Sequence, residues 1–133
     1  MTPQAIDAMV AGRELDRLVA EKVMGWKNLK WQDQRSENGW ITPAGFYGNG
    51  PKGECFLSRS FSTDSAAAWQ VKRKITESGI WGFHLTNDGN AWSHVSFTSG
   101  TDEYEGEGDT DEEAICRAAW KAAQHGQRGD HEA

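Results

Sequence analysis

Cysteine is scarce in this chain. Cys55 and Cys116 stand far apart and form no CxxC pair, which removes the usual spacing for a zinc cluster or a dithiol redox centre. In a reducing compartment two such thiols are buried or idle rather than bridged. No apolar run is long enough to cross a bilayer, and no basic start followed by an apolar stretch marks a secretion signal. The expected compartment is therefore the cytoplasm. No elbow motif surrounds any serine, neither cysteine has a histidine near it in sequence, and no phosphate-loop or dinucleotide spacing is present. Catalysis finds no support in the motifs.

Bases are also few. The 133 residues carry 14 Lys and Arg against 20 Asp and Glu, for a net charge of −6. Residues 101–113 (TDEYEGEGDTDEE) hold eight of those acids and no base. The remainder is close to neutral. That argues against broad nucleic-acid affinity, which needs a basic footprint. It permits an acidic loop that meets a basic partner. What the chain has in excess is tryptophan, with seven, a residue that anchors both cores and interfaces.

One domain fits the length. Its expected bounds are residues 1–124, with 125–133 a polar tail expected to be disordered. Thr2-Pro3 is a helix start that runs to about Met9. Leu15, Leu18, Val19, Val23 and Trp26 make one stripe of a second helix, about Gly12 to Met24, closed by Gly25. Trp40-Ile41-Thr42 and Phe56-Leu57 suit short strands. Gly45–Gly53, with four glycines in nine residues, reads as a flexible loop or hairpin turn. Ser62-Thr63-Asp64 opens a further helix, with Ser or Thr as its cap, an apolar stripe of Ala68, Val71 and Ile75, and Gly79 at its end.

Trp81, Phe83 and Leu85 then alternate with small and polar residues, and after Asn87-Asp88-Gly89 a second alternating run follows. A three-residue loop with Gly89 left-handed puts those three residues on one face with Ala91, Val95 and Phe97. The other face carries His84, Trp92 and His94. Residues 101–113 read as an acidic loop. Thr110 and Glu113 form a capping box for a last helix to about Gln124, with Ile115, Ala118, Ala119 and Ala122 inward. No strand-helix-strand repeat imposes a parallel sheet. The class is α+β: a small antiparallel sheet covered by about three main helices.

Four segments in order carry a resemblance: Ala11-Gly-Arg-Glu-Leu-Asp16, Glu21-Lys-Val-Met-Gly-Trp26, Ser62-Thr-Asp64 followed by Ala66-Ala-Ala-Trp69, and Ala114-Ile-Cys-Arg-Ala-Ala119. Together the chain resembles the phage ABA sandwich domain family. The resemblance implies an α-β-α layered sandwich and a phage or prophage origin, hence the cytoplasm of a bacterial host. It implies no activity. The long Gly-rich segment between Trp26 and Ser62 and the acidic link before the last helix depart from the family pattern.

Several candidate sites follow. His84 and His94 share a hairpin face, but two surface histidines beside a Trp is commoner than a metal site, and no metal or other cofactor is expected. Ser62-Thr63-Asp64 is explained by capping without an anion. Asp102, Glu103, Glu105, Glu107, Asp109 and Asp111 are dense enough to imitate a nucleic-acid backbone before a basic groove, although such runs are usually only solvated. Arg13, Arg117, Phe46, Tyr47 and Trp92 form an alternative set around an anionic ligand. The leading expectation is a phage accessory protein, not an enzyme. It would bind a host protein or protein–nucleic acid complex through the acidic residues and inhibit a defence system such as a CRISPR effector. The alternative is an oligomeric module that sequesters a small anionic nucleotide signal.

Overall fold

The computed structural model describes residues 2–57, 59–77, 82–90 and 92–132. Four helices are present there: α1 (Pro3–Asp7), α2 (Arg13–Lys22), α3 (Ser65–Glu77) and α4 (Asp111–Glu132). The strands are β1 (Lys27–Gln32), β2 (Arg35–Glu37), β3 (Trp40–Thr42), β4 (Gly45–Asn49), β5 (Phe56–Leu57), β6 (Gly82–Asn87), β7 (Ser93–Ser99) and β8 (Asp102–Gly108). All pairings are antiparallel, in sheets ordered β1-β4-β5, β2-β3 and β6-β7-β8. The expected α+β class is what the chain adopts.

The helix ends follow local chemistry. The Thr2 side chain accepts a hydrogen bond from the Ala5 N–H, and α1 stops at Asp7, short of the expected Met9. Asp64, not Ser62 or Thr63, caps α3: its Oδ1 accepts from the Ala67 N–H. Ser62 is buried and turned elsewhere, toward Asp16. Thr110 caps α4 through the Glu113 N–H, while the Glu113 side chain pairs forward with Arg117 instead of closing the expected box. The helix continues to Glu132, past the end of the apolar stripe near Gln124.

The β6–β7 hairpin keeps the expected faces. Phe83 lies opposite Phe97 and Leu85 opposite Val95. Its loop is longer than three residues, because the last pair is Asn87 with Ser93. The Asn87 and Asp88 side chains fold back onto the Gly89 and Asn90 N–H groups, and Gly89 has φ +80°. Trp81, Ala91 and Gly79, also expected here, lie outside the described residues.

Two segments expected as loops are strands. Gly45–Asn49 is β4, the centre of its sheet, and only the residues after it turn. Its glycines serve close approach, not flexibility: a Cβ on Gly45 would lie 2.5 Å from the Phe56 ring, and one on Gly48 2.7 Å from the Lys27 carbonyl oxygen. The acidic segment is β8, in register with β7 along its whole length.

The core gathers around α4. Ile115, Ala118, Ala119, Trp120 and Ala122 are buried with Ile6, Leu15, Val19, Val71, Val95 and Phe97. α4 packs directly on β8 and β7, with α3 and α2 beside it. Burying each large aliphatic or aromatic side chain contributes about 1.5–3 kcal/mol. The small residues of α4 let its backbone approach the sheet: Gly106 of β8 has so little room that a Cβ would meet Ala114 O and Ala118 N of α4 at 2.4 and 2.5 Å.

Candidate functional site

The acidic residues are ordered by that packing. In β8 alternate side chains point to opposite faces. Tyr104, Gly106 and Gly108 face α4, half-buried or buried, so Glu103, Glu105 and Glu107 project from the other face and are exposed. They recur about every 7 Å. The β7 residues opposite them are Thr98, Ser96 and His94, and the β6 residues next across are Gly82, His84 and Thr86. This face of the sheet is polar, and the helices occupy the other one. His94 Nε2 lies 3.3 Å from Glu105 Oε1, and its ring stacks with Trp92 at 6.0 Å and 17°.

The free edge of β8 is closed by α4 side chains. Arg117 donates to the Glu107 carbonyl and to the Met9 carbonyl, and pairs with Glu113. Lys121 donates to the Glu105 carbonyl at 2.7 Å and pairs with Asp7 at 2.8 Å. Covering backbone acceptors this way blunts strand addition. Asp7, Trp92, Glu105, Glu107, Gly108, Asp109, Arg117 and Lys121 line a surface recess of about 490 Å³ beside this edge.

Asp111 is set apart from the other acids. Its Oδ1 accepts from Ser93 Oγ at 2.6 Å and Asn87 Nδ2 at 3.0 Å, tying the start of α4 to the β6–β7 hairpin. These two bonds hold its carboxyl below the usual aspartate range, Ser93 contributing most. Asp111 is therefore a structural joint, while Asp102, Glu103, Glu105, Glu107 and Asp109 stay on the surface.

The alternative ligand set is dispersed. Arg117 is mostly buried and committed to the carbonyls just named. Arg13 lies over the Trp31 ring at 3.6 Å. Phe46 is a core residue of β4, in edge contact with Trp31. Tyr47 donates its hydroxyl to the Pro43 carbonyl and packs on Phe56. Trp92 and Arg117 line one recess together. Among the described residues no group of three or more His, Cys, Asp and Glu side chains could hold a metal.

Sequence reasoning missed a further surface. Among the described residues β2 and β3 pair only with each other, joined by Asn38 (φ +53°) and Gly39 (φ +81°). Asn-Gly between two short runs is the strongest local hairpin signal, and it stood in the sequence. The hairpin leaves Trp40 79% and Ile41 67% exposed, so Trp content serves both core and surface: Trp26 and Trp120 are buried.

Cys116 is not placed for nucleophilic work. Cys116 is fully buried, and burial, then the nearby Asp16 charge, drive its thiol far up, away from the reactive thiolate. Cys55 is exposed.

The fold and face together define a small α+β sandwich with one polar, acid-rich sheet surface. The chain belongs to the phage ABA sandwich domain family, which it matches over residues 17–120. It is also similar in fold to a phage protein from Bacillus cereus whose crystal structure was solved at 2.0 Å, with a TM-score of 0.56 and 20% identity over 87% of this chain and 94% of that one. No curated protein is significantly similar in sequence. No helix among the described residues is long and apolar enough to cross a membrane.

Proposed function

We propose that this phage-family protein acts by binding, without catalysis, and that its partner is a basic surface of a host defence component. The observation that carries this reading is the row of Glu103, Glu105 and Glu107 on the open face of β8. Neighbouring charges in the row, about 7 Å apart, lie within one Debye length of each other, so they repel in the free protein. A row of carboxylates on a rigid strand presents regularly spaced negative charge, as a nucleic-acid backbone does. A basic groove built for nucleic acid, such as that of a CRISPR effector, is the matching target class, and the site of action is the host cytoplasm. Because Lys121 and Arg117 occupy the carbonyls of the β8 edge, the partner reads side chains rather than adding a strand.

The test compares the wild type with the Glu103→Ser/Glu105→Ser/Glu107→Ser variant as tagged baits in a lysate of the bacterial host. A stoichiometric host protein captured by the wild type, released by salt and not captured by the variant, supports the proposal. Equal capture by both baits overturns it.

A further inference from the structure

A second feature lies away from β8 and shares no residue with it. An open groove of about 660 Å³ runs between α3 and residues 51–57 and 59–61. Its floor is apolar: Trp26, Leu57 and Phe61 are buried, and Met24 and Phe56 are half-buried. Its rim carries four cations, Lys52, Arg59, Arg73 and Lys74, against two carboxylates, Glu54 and Glu77.

The charge is unspent. The ion pairs among the described residues involve other side chains, and none includes these four cations. Glu54 is turned back onto its own turn, where Oε1 accepts from the Lys52 N–H at 2.7 Å. Lys74 also complements the negative end of the α3 dipole. That explains one of the four cations, but not Arg73, nor Lys52 and Arg59, which come from other segments to the same groove. A net positive rim in a chain of net charge −6 is a local reversal of sign.

We propose that this groove binds a free nucleotide. Cations alone would suit any anion, but an apolar, aromatic floor favours a ligand with a flat ring beside its phosphates. The volume falls within the range of small-molecule sites, roughly 300–1,000 Å³. A nucleic-acid polymer is disfavoured, because outside these six rim residues the chain carries 10 Lys and Arg against 18 Asp and Glu.

The test is calorimetric titration of the full chain with ADP, GDP, CDP and UDP, beside inorganic pyrophosphate and adenosine. At least one nucleoside diphosphate is expected to saturate below about 1 mM, at least about tenfold tighter than pyrophosphate or adenosine. Arg59→Ala and Arg73→Ala should each weaken it about tenfold or more, with melting temperatures unchanged. The triple Ser variant of β8 should bind it like the wild type, which separates this inference from the acidic-face reading. Absence of saturable binding by all four diphosphates overturns the proposal. So does binding untouched in the Arg59→Ala/Arg73→Ala double variant, or pyrophosphate binding as tightly as the nucleotide.

Discussion

Gly106→Ala is expected to destabilise the domain although it adds a single methyl group. The new Cβ would stand 2.4 Å from Ala114 O, 2.5 Å from Ala118 N and 3.0 Å from Arg117 Cβ. Ordinary contacts need about 3.5 Å or more, so α4 and β8 must separate by about 1 Å. The first two atoms are helix backbone and cannot rotate away. α4 packs on β7, β8, α2 and α3, so its shift loosens several contacts at once. Overpacking of this kind costs about 1–3 kcal/mol, occasionally more. Reduced unfolded-state freedom returns about 0.4–1 kcal/mol. At mid-range the net loss is about 1.3 kcal/mol, a fall of roughly 5 °C in Tm for a chain of this size. Urea titration followed by tryptophan fluorescence would measure it. Gly53→Ala is the control, because Gly53 has φ +87° and nothing within 4 Å, so it carries backbone strain without a clash. A Gly106→Ala midpoint within error of the wild type would refute the packing of β8 on α4.

Two carboxylates give opposite pH signatures. Asp111 has a folded pKa held below its ordinary value by Ser93 and Asn87, so its contribution is present above the ordinary aspartate range and lost as pH falls through the depressed value. Asp111→Asn should cost about 1 kcal/mol at pH 7, with the gap closing in strongly acid solution; a pH-independent gap would show that the charge is irrelevant. Asp16 is buried, and burial raises its pKa, partly offset by hydrogen bonds from the Ser62 hydroxyl and N–H at 2.7 Å each. A raised carboxylate pKa favours the fold at low pH and is felt as a loss when pH rises through it. Asp16→Asn should therefore gain on the wild type as pH rises from acid to neutral. Asp16→Ala, which strands the Ser62 N–H and leaves its hydroxyl only the Gly12 carbonyl at 3.5 Å, should lose about 1–3 kcal/mol. Equal denaturation midpoints for the Asn and Ala variants would sink that account of the Asp16–Ser62 pair.

The helices were legible because they are amphipathic and punctuated. Leu15, Leu18 and Val19 mark α2, and Val71 and Ile75 mark α3, by spacing alone. The β6–β7 faces were legible too, since Phe83, Leu85, Val95 and Phe97 alternate cleanly. β8 was missed despite an equally strict alternation, of Tyr104, Gly106 and Gly108 against Glu103, Glu105 and Glu107. Gly and Glu are poor strand residues, and the inward positions are small because α4 sits on them, so the hydrophobic signal is absent where the packing is closest. β1 was hidden by an irregular pairing between Lys27 and Lys30, with Asn28 at φ +58°, which breaks its period. β4 was hidden by glycines that make room for Phe56 and the Lys27 carbonyl. The acidic candidate residues were legible as a cluster, but their division was not. Only pairing shows that Asp111 is a joint and that three glutamates form a row. The basic groove was not legible at all, because Arg59 and Arg73 meet only in the tertiary fold.

The tight packing of α4 on β8 also decides how the acidic face can work. Were Gly106 larger, α4 would stand farther off, and Arg117 and Lys121 could not reach over the strand to the Glu107 and Glu105 carbonyls. Those carbonyls would then be open for another chain to pair with. With them occupied, β8 offers its carboxylates without offering its edge. The same two cations are paired with Glu113 and Asp7, so they cover the edge without being spent on the three glutamates. Lys121→Met separates these effects: it removes one cation and one edge cover together. If side-chain charge is what a basic partner reads, the variant should bind at least as tightly as the wild type, with an unchanged dependence on Glu103, Glu105 and Glu107. If binding instead becomes independent of the three glutamates and the free protein self-associates in sedimentation, the exposed edge has taken over, and the division of labour between α4 and β8 is what had kept the face specific.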